Sequence, residues 1–378
     1  MKQKLSITLV VIAITSAVLL LPPQRFSNSY TASYHLLENP LSSKQYKLNV
    51  VVSQSLYEYY VGKSHKQTSP EDFAKFVTPY ALKPIADKLW MIYNNHEDFA
   101  NGVLMIVHQI PYSVTASAKY PVETIVENCG DCDLFSYIAA SIMKAGGLEV
   151  ILLYYEDQAH MNVGVHLPSP PRYVRTPAYY VVHNGVRYYI AECTGDDWTK
   201  GWRVGECPED LMHATPQIIE LENCEEWAPG QVSASYKPLS SSAIFLTASS
   251  TFVLQGGVVT LMGQLSPKLQ NKSITIYVRV GGSTWDILAV TKTDSDGKFT
   301  WMWNAKETGI CQFRASWSGD GDYAGTDSPI VTVAVMPTFF LTLLVITATL
   351  VCVGILFLLT ATQRRYGVEE PKLPEIPS

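Results

Sequence analysis

The spacing of hydrophobic residues changes about halfway through residues 46–226. Near the start, apolar residues from Leu48 onward recur at helical spacing, which predicts helices over residues 46–107. Later, residues 150–155 form a continuous apolar run, and apolar and polar residues alternate over residues 160–167. Both patterns are typical of strands. Helices followed by antiparallel strands predict an α+β fold for this part of the chain.

One predicted helix differs from the others because it is apolar on nearly every side. It is predicted to run from Asp133 to Ala145 and to end at Gly146-Gly147, a common C-terminal signal. An apolar residue on every face is typical of a buried, central helix. Further along, Asn184-Gly185 lies between two apolar runs and predicts a hairpin.

A change of composition divides the chain after residue 226. Residues 227–242 are rich in Pro, Gly and Ser, which predicts a linker. Residues 243–336 then contain seven short apolar runs, separated by turns such as Asp296-Gly297. Short strands at this regular spacing predict an all-β immunoglobulin-like sandwich.

Two long apolar stretches lie near the ends of the chain. Residues 1–24 place an apolar run behind two lysines, which predicts a signal peptide or an uncleaved signal anchor. Residues 338–362 carry no charge and are long enough to predict a transmembrane helix. Arginines open residues 363–378, which predicts a cytoplasmic tail. Together these features predict a cell-membrane protein, single-pass or two-pass, with the lipid bilayer as partner and both central units extracytoplasmic.

Charge and cysteine content narrow the class of function. The 378 residues carry a formal net charge of −6, so no basic surface predicts binding to nucleic acid. Of the seven cysteines, Cys352 lies inside the predicted membrane helix, and others could pair in an oxidising compartment. Cys207 with Cys224 is one plausible bridge, although sequence alone fixes no pairing. The odd total fits at least one free thiol.

Candidate chemistry centres on Cys132, at the first turn of the predicted buried helix. Backbone N–H groups and the helix dipole stabilise a thiolate there, and the thiolate is the nucleophilic form. His160 and Glu192 follow on predicted strands. A thiol, an imidazole and a carboxylate together predict acyl transfer at a carbonyl group. The Cys132 N–H is the expected oxyanion donor, and Gln109 is a candidate side-chain partner.

The sequence around these residues resembles the transglutaminase-like superfamily. The segment Gly130-Asp131-Cys132-Asp133 is similar to that family's Gly-x-Cys-x-acid nucleophile motif. The strand that starts at His160, with the sequence His-Met-Asn-Val-Gly-Val, is similar to the family's His-Ala-Trp-Val-Glu-Val strand. The segment Ala191-Glu192-Cys193-Thr194 departs from the family's Asp-Pro-Thr, because Glu stands in the acid position.

The resemblance implies both a fold and an activity. The implied fold over residues 46–226 is a transglutaminase-like, papain-like helical layer plus an antiparallel sheet, in a microbial, membrane-anchored protein. The implied activity is that of a cysteine acyltransferase or peptidase for protein or peptide substrates at the cell surface. Cys132, His160 and Glu192 would form its catalytic triad, without a cofactor.

Other residues could fill the same roles, and other functions stay open. Asp196 and Asp197 are alternative acids, and His166 is an alternative base on the same strand face as His160. Cys129 and Cys132 form a Cys-x-x-Cys pair, so a thiol oxidoreductase is a further hypothesis. The Glu-for-Asp change also leaves open a catalytically degenerate surface protein that only binds or adheres.

No metal site is predicted from the sequence. A zinc site at Cys129 and Cys132 would need a second pair of ligands at suitable spacing, which the sequence lacks. The segment Asp294-Ser295-Asp296-Gly297 resembles the start of a calcium loop, but Ala305 stands where the loop needs Glu. A hairpin turn is therefore predicted at that segment.

Overall fold

The structure of the protein is a computed structural model that describes residues 29–366; side chains are described at all of these residues except 340–344 and 361–366. The first part of the chain combines helices with strands. The predicted signal segment 1–24 lies outside the described residues. Five α-helices belong to this part: α1 Gln54–Val61, α2 Pro79–Leu89, α3 His96–Val107, α4 Pro121–Glu127 and α5 Cys132–Ala145. Two short 3-10 helices span Pro70–Phe76 and Glu209–Leu211.

Two antiparallel sheets accompany these helices. The larger has the order β5-β6-β4-β3-β7, with bounds β3 Val150–Tyr155, β4 His160–His166, β5 Tyr180–His183, β6 Val186–Ala191 and β7 Gln217–Ile219. The smaller has the order β1-β2-β8, with bounds β1 Tyr30–Leu37, β2 Gln45–Val52 and β8 Ser233–Ser235. Strand β8 lies within residues 227–242, so part of the predicted linker is paired with β2.

Helix α5 lies at the centre of this unit, as its all-round apolar sequence predicted. Every residue from Leu134 to Met143 is buried, and the apolar ones share a core with Leu152, Met161 and Val163 of the larger sheet. Burial of so much apolar surface fixes the helix against strands β3 and β4. The first residue of α5 therefore has a fixed position beside the start of β4.

The rest of the described chain is mainly strand. Nine strands follow residue 242: β9 Ala243–Ala248, β10 Phe252–Leu254, β11 Val258–Ser266, β12 Ser273–Val280, β13 Asp286–Lys292, β14 Lys298–Asn304, β15 Gly309–Gly319, β16 Ala324–Asp327 and β17 Val331–Met336. One sheet has the order β10-β17-β15-β12-β13, with β16 on β15, and the other has the order β14-β11-β9. Both sheets bury residues in one core. The turn at 294–297 connects strands of different sheets, so the predicted hairpin there is wrong.

The fold class expected from the sequence is wrong. We expected an α+β, transglutaminase-like helical layer and sheet, then an immunoglobulin-like sandwich and a transmembrane helix. Among the described residues, more lie in strands than in helices, so strand is the dominant element. Part of the reason is that β2 occupies residues expected to be helical. In β2, Leu48, Val50 and Val52 are buried at every second position, which is the period of a strand.

The expected membrane anchor is also wrong. The last element that the structure describes is helix α6, Phe339–Tyr366, but no helix among the described residues is both long and apolar enough to cross a bilayer. The transmembrane helix at 338–362, the bilayer as partner and the cell-membrane localisation are therefore corrected, together with the extracytoplasmic and cytoplasmic assignments that depended on them.

Candidate active site

The cysteine of the predicted triad lies at the first position of helix α5. The preceding residue, Asp131, has an extended backbone and caps the helix start. One residue earlier, the Gly130 carbonyl accepts a hydrogen bond from the Ser113 N–H at 2.7 Å. A Cβ on Gly130 would lie 3.1 Å from side chains of Leu134 and Phe135, so this close approach favours glycine. These contacts fix the loop that presents Cys132.

A serine in the next turn of α5 connects Cys132 to strand β4. The buried Ser136 hydroxyl lies 2.7 Å from the Cys132 carbonyl oxygen and 3.0 Å from the Met161 carbonyl oxygen. The Cys132 side chain is half-buried, and its Sγ lies 3.9 Å from the Ala159 carbonyl oxygen. The thiol is thus held beside His160, the first residue of β4.

The structure places His160 between the thiol and the carboxylate of the predicted triad. The His160 Nε2–H donates to Glu192 Oε2 at 2.9 Å, and the Cys132 side chain lies close enough to the ring to raise the pKa of His160. Strands β4 and β6 are antiparallel neighbours, with Val163 opposite Ala191. The residue after β6 therefore lies beside the first residues of β4. The three predicted residues are therefore brought together, with His160 bonded to Glu192 and adjacent to Cys132.

Glu192 is fully buried, and several donors hold it. Its Oε1 accepts from the Thr194 N–H at 2.8 Å and from the Thr194 hydroxyl at 2.5 Å. Its Oε2 also accepts from Asn162 Nδ2 at 3.2 Å. The ring of His108 donates from Nε2 to the Glu192 backbone oxygen at 3.0 Å. A carboxylate with this many donors is fixed in both position and charge.

Burial and neighbouring charges have opposite effects on the pKa values of His160 and Glu192. Burial, the largest single influence on His160, lowers its pKa, but the hydrogen bonds and charges of Cys132 and Glu192 outweigh it. Together they raise the pKa of His160 to about 10. Burial likewise raises the pKa of Glu192, but His160 and Thr194 overcome it, so the pKa lies below its ordinary value. At neutral pH the imidazole is therefore protonated and the carboxylate is ionised.

The alternative site residues lie elsewhere or have other partners. Asp197 accepts from the Thr199 N–H at 2.9 Å and so caps a turn, and Asp196 is exposed. His166 lies at the far end of β4, with its Nδ1 3.1 Å from the Arg187 carbonyl oxygen. These residues are not joined to the group formed by Cys132, His160 and Glu192.

The side-chain donor suggested for the oxyanion is already engaged. Gln109 Nε2 donates to the His35 carbonyl at 2.8 Å and to the Met105 carbonyl at 2.7 Å, and its Oε1 accepts from the His35 N–H. The suggested role of Gln109 is therefore not supported. Cys207 and Cys224 are free thiols, so the plausible bridge between them is not present.

Sequence reasoning missed three residues that support the site: His108, Ser136 and Asn162. Asn162 could have been found, because it lies two residues after His160 and so faces the same side of β4. His108 and Ser136 gave no signal, because their partners come from distant parts of the chain. Asp133 was part of the predicted nucleophile motif, but its pKa shift was not predicted: burial and the neighbouring Asp131 raise the pKa of Asp133 to about 7.

A cavity of about 630 Å³ lies beside the triad. Its wall includes Thr194, which holds Glu192, and Tyr112, whose backbone pairs with Gly130 in the nucleophile loop. The remaining wall combines Trp198 and Trp202 with polar, aliphatic and small residues. The three triad residues themselves do not line the cavity.

No protein-family model matches this chain, and no curated protein matches it. A β-glucosidase from Listeria innocua matches 25% of this chain and 16% of its own length at 11% identity and a TM-score of 0.19. A chitin binding domain from Burkholderia pseudomallei matches 23% of this chain and 57% of its own length at 15% identity and a TM-score of 0.18. An LPMO from Kitasatospora papulosa matches 23% and 51% at 11% identity and a TM-score of 0.20. At such TM-scores the similarities carry no argument, and this chain spans less than two thirds of each of these proteins.

Proposed function

We propose that this protein is a cysteine acyltransferase or peptidase acting on amide or peptide carbonyls of polypeptides. The observation that carries the proposal is the position of His160, whose ring is hydrogen-bonded to the buried Glu192 and lies beside Cys132. A nucleophile, a base and an orienting acid in this order are the requirements of covalent acyl transfer. The resemblance of the segment 130–133 to the transglutaminase-like nucleophile motif favours the same chemistry.

The proposed reaction begins with attack of the Cys132 thiolate on the carbonyl carbon. A sulfur–carbon bond forms, and the carbonyl oxygen takes up the displaced electron pair. The protonated His160 then gives its proton to the amide nitrogen, so that the carbon–nitrogen bond breaks and an amine leaves. An amine or water then attacks the thioester carbon and gives its proton to His160, and the carbon–sulfur bond breaks to release the acyl product and regenerate the Cys132 thiolate.

The start of helix α5 supplies stabilisation for the oxyanion. In a helix the first backbone N–H groups have no acceptor within the helix, and the Cys132 N–H makes no hydrogen bond with the described residues. This N–H and the positive end of the helix dipole lie beside the attacking sulfur. Removing one such donor in an enzyme typically costs about 10²–10³ in kcat.

Iodoacetamide labelling tests the proposal. Cys129 is half-buried like Cys132 and serves as an internal reference. We expect Cys132 to be alkylated at least about tenfold faster than Cys129, because an imidazolium beside a thiol favours the thiolate. The His160→Ala variant should remove that advantage. Equal rates for the two cysteines in the wild-type protein would contradict the proposal.

A second measurement separates an enzyme from a protein that only binds. Candidate proteins are incubated with the wild type or with Cys132→Ala, and mass spectrometry searches for cross-links, deamidation and new termini. An acyltransferase or peptidase gives such products only with the wild type. The Cys129→Ser variant should retain them, whereas a thiol oxidoreductase would lose its activity with that change.

A further inference from the structure

We propose that the cavity beside Cys132 is a specificity subsite for a positively charged side chain of the substrate polypeptide. The inference rests on the proposed function, because it assumes that a polypeptide carbonyl is held at Cys132. It adds a substrate preference, for a basic residue near the reacting carbonyl group. Three features of the cavity carry it: its contacts with residues next to the triad, its aromatic side chains and its unpaired charge.

Two residues that line the cavity are bonded to the catalytic residues or to the nucleophile loop, although no triad residue lines it. At one end, Tyr112 pairs with Gly130, two residues before the nucleophile, and its ring meets that of Phe135 edge to face at 6.2 Å. At the other end, the Thr194 hydroxyl donates to Glu192 at 2.5 Å. A substrate carbonyl at Cys132 therefore places a neighbouring side chain of the same polypeptide in the cavity.

Aromatic rings form part of the wall. Tyr112, Trp198 and Trp202 all line the cavity. Trp198 is held from outside, because its ring stacks on that of His35 at 5.9 Å. The faces of tryptophan and tyrosine attract cations within about 6 Å of the ring centroid. The wall therefore suits an alkylammonium or guanidinium group better than a carboxylate.

The charge of the wall points to the same class of ligand. Asp196 lines the cavity, and its carboxylate makes no hydrogen bond or ion pair with the described residues. The nearby His108 is neutral at pH 7, because burial, the largest influence, lowers its pKa. No lysine or arginine among the described residues lines the cavity, and Arg175 of the adjoining loop is paired with Glu206 at 2.5 Å. The wall thus carries one uncompensated negative charge.

Binding to an inactive full-length variant tests this subsite without any turnover. Calorimetry on Cys132→Ala compares a blocked tripeptide with a central lysine and the same tripeptide with acetyl-lysine. We expect the lysine peptide to bind about tenfold more tightly, and Asp196→Asn to abolish that preference. Asp197→Asn, one residue along, changes the same charge at a carboxylate that caps Thr199, and it should leave the preference intact. Trp202→Leu should weaken binding of the lysine peptide several-fold.

Equal affinity for the two peptides, or a preference that survives Asp196→Asn, would overturn the inference. The proposed function fails separately, in the labelling of Cys132, which uses no peptide. Fast, His160-dependent alkylation without a lysine preference would support the catalytic triad and contradict the subsite. Slow alkylation together with a lysine preference that depends on Asp196 would support the subsite and contradict the triad.

Discussion

Glu192 and Glu206 are two buried glutamates with similar surroundings but different partners. Both are almost fully buried, at 0% and 2% exposure, and both accept several hydrogen bonds. Glu206 accepts from the backbone N–H and Nε of Arg175, each at 2.8 Å, and from the Arg203 N–H at 3.1 Å. For both acids burial raises the pKa, but their partners overcome it and hold the pKa below its ordinary value.

The difference lies in the partner of each acid. The guanidinium of Arg175 keeps its proton at every accessible pH, so its pair with Glu206 can only hold the loop in place. The imidazole of His160 can release its proton and also reaches a thiol. The buried Glu206 therefore only holds a loop in place, whereas the buried Glu192 holds a partner that can release a proton.

The largest effect is expected from Glu192→Gln, measured as the rate of Cys132 alkylation. The amide keeps the shape of the side chain but removes the charge that stabilises the imidazolium. We expect the rate to fall by about 10²-fold, within the usual range for a positioned acid–base group. The free energy of unfolding should also fall, by about 1–2 kcal/mol, because the buried His160–Glu192 pair is broken, so the rate is measured on folded protein. The matched control is Glu206→Gln, which should alkylate within a few-fold of the wild type; an equal loss in both variants would contradict the distinction.

The second effect is the stability of Glu206→Gln, measured by urea unfolding. This change leaves Arg175 without its charged partner and places an amide among donors that need acceptors. Breaking a buried charged pair costs about 3–5 kcal/mol, and the partial exposure of Arg175 reduces this to about 2 kcal/mol. A free energy of unfolding within experimental error of the wild type would show that the pair contributes little.

Part of this arrangement could be predicted from the sequence, because local periodicity carries it. Helix α5 and strands β3 and β4 lie where the apolar pattern placed them, and Asn184 and Gly185 adopt the positive φ values of the predicted hairpin turn. The pairing of β4 with β6 then brings Glu192 to His160.

What could not be predicted depends on contacts between distant segments. Strand β2 pairs with β8, more than 180 residues later in the chain, and no local pattern signals such a partner. His108 lies 84 residues before Glu192, and it holds the backbone of that residue. The role suggested for Gln109 failed for the same reason, since its side-chain amide bonds to the backbone of His35, 74 residues earlier in the chain.

The third effect concerns pH, because His160 can titrate where Arg175 cannot. The raised pKa of His160 contributes stability that is fully present below about pH 6.5 and lost as pH rises toward about 10. We therefore expect the wild type to exceed His160→Gln in free energy of unfolding by about 1–2 kcal/mol near pH 6.5, and by much less near pH 10. Using the difference cancels other titrating groups such as Asp133. The Arg175→Gln variant should show a difference that stays constant over this range, and a constant difference for His160→Gln would contradict the assignment.

The smallest effect is expected from Thr194→Val, which removes one donor to Glu192 and keeps the side-chain shape. The Thr194 backbone N–H still donates at 2.8 Å, so the carboxylate loses a single hydrogen bond, worth about 1 kcal/mol. The Cys132 alkylation rate should fall by about three- to tenfold. Thr199→Val is the control, because its hydroxyl donates to Asp197, at 2.6 Å, in the same loop. If both valine variants slow alkylation equally, the loop as a whole positions Glu192, and the Thr194 hydroxyl has no separate role.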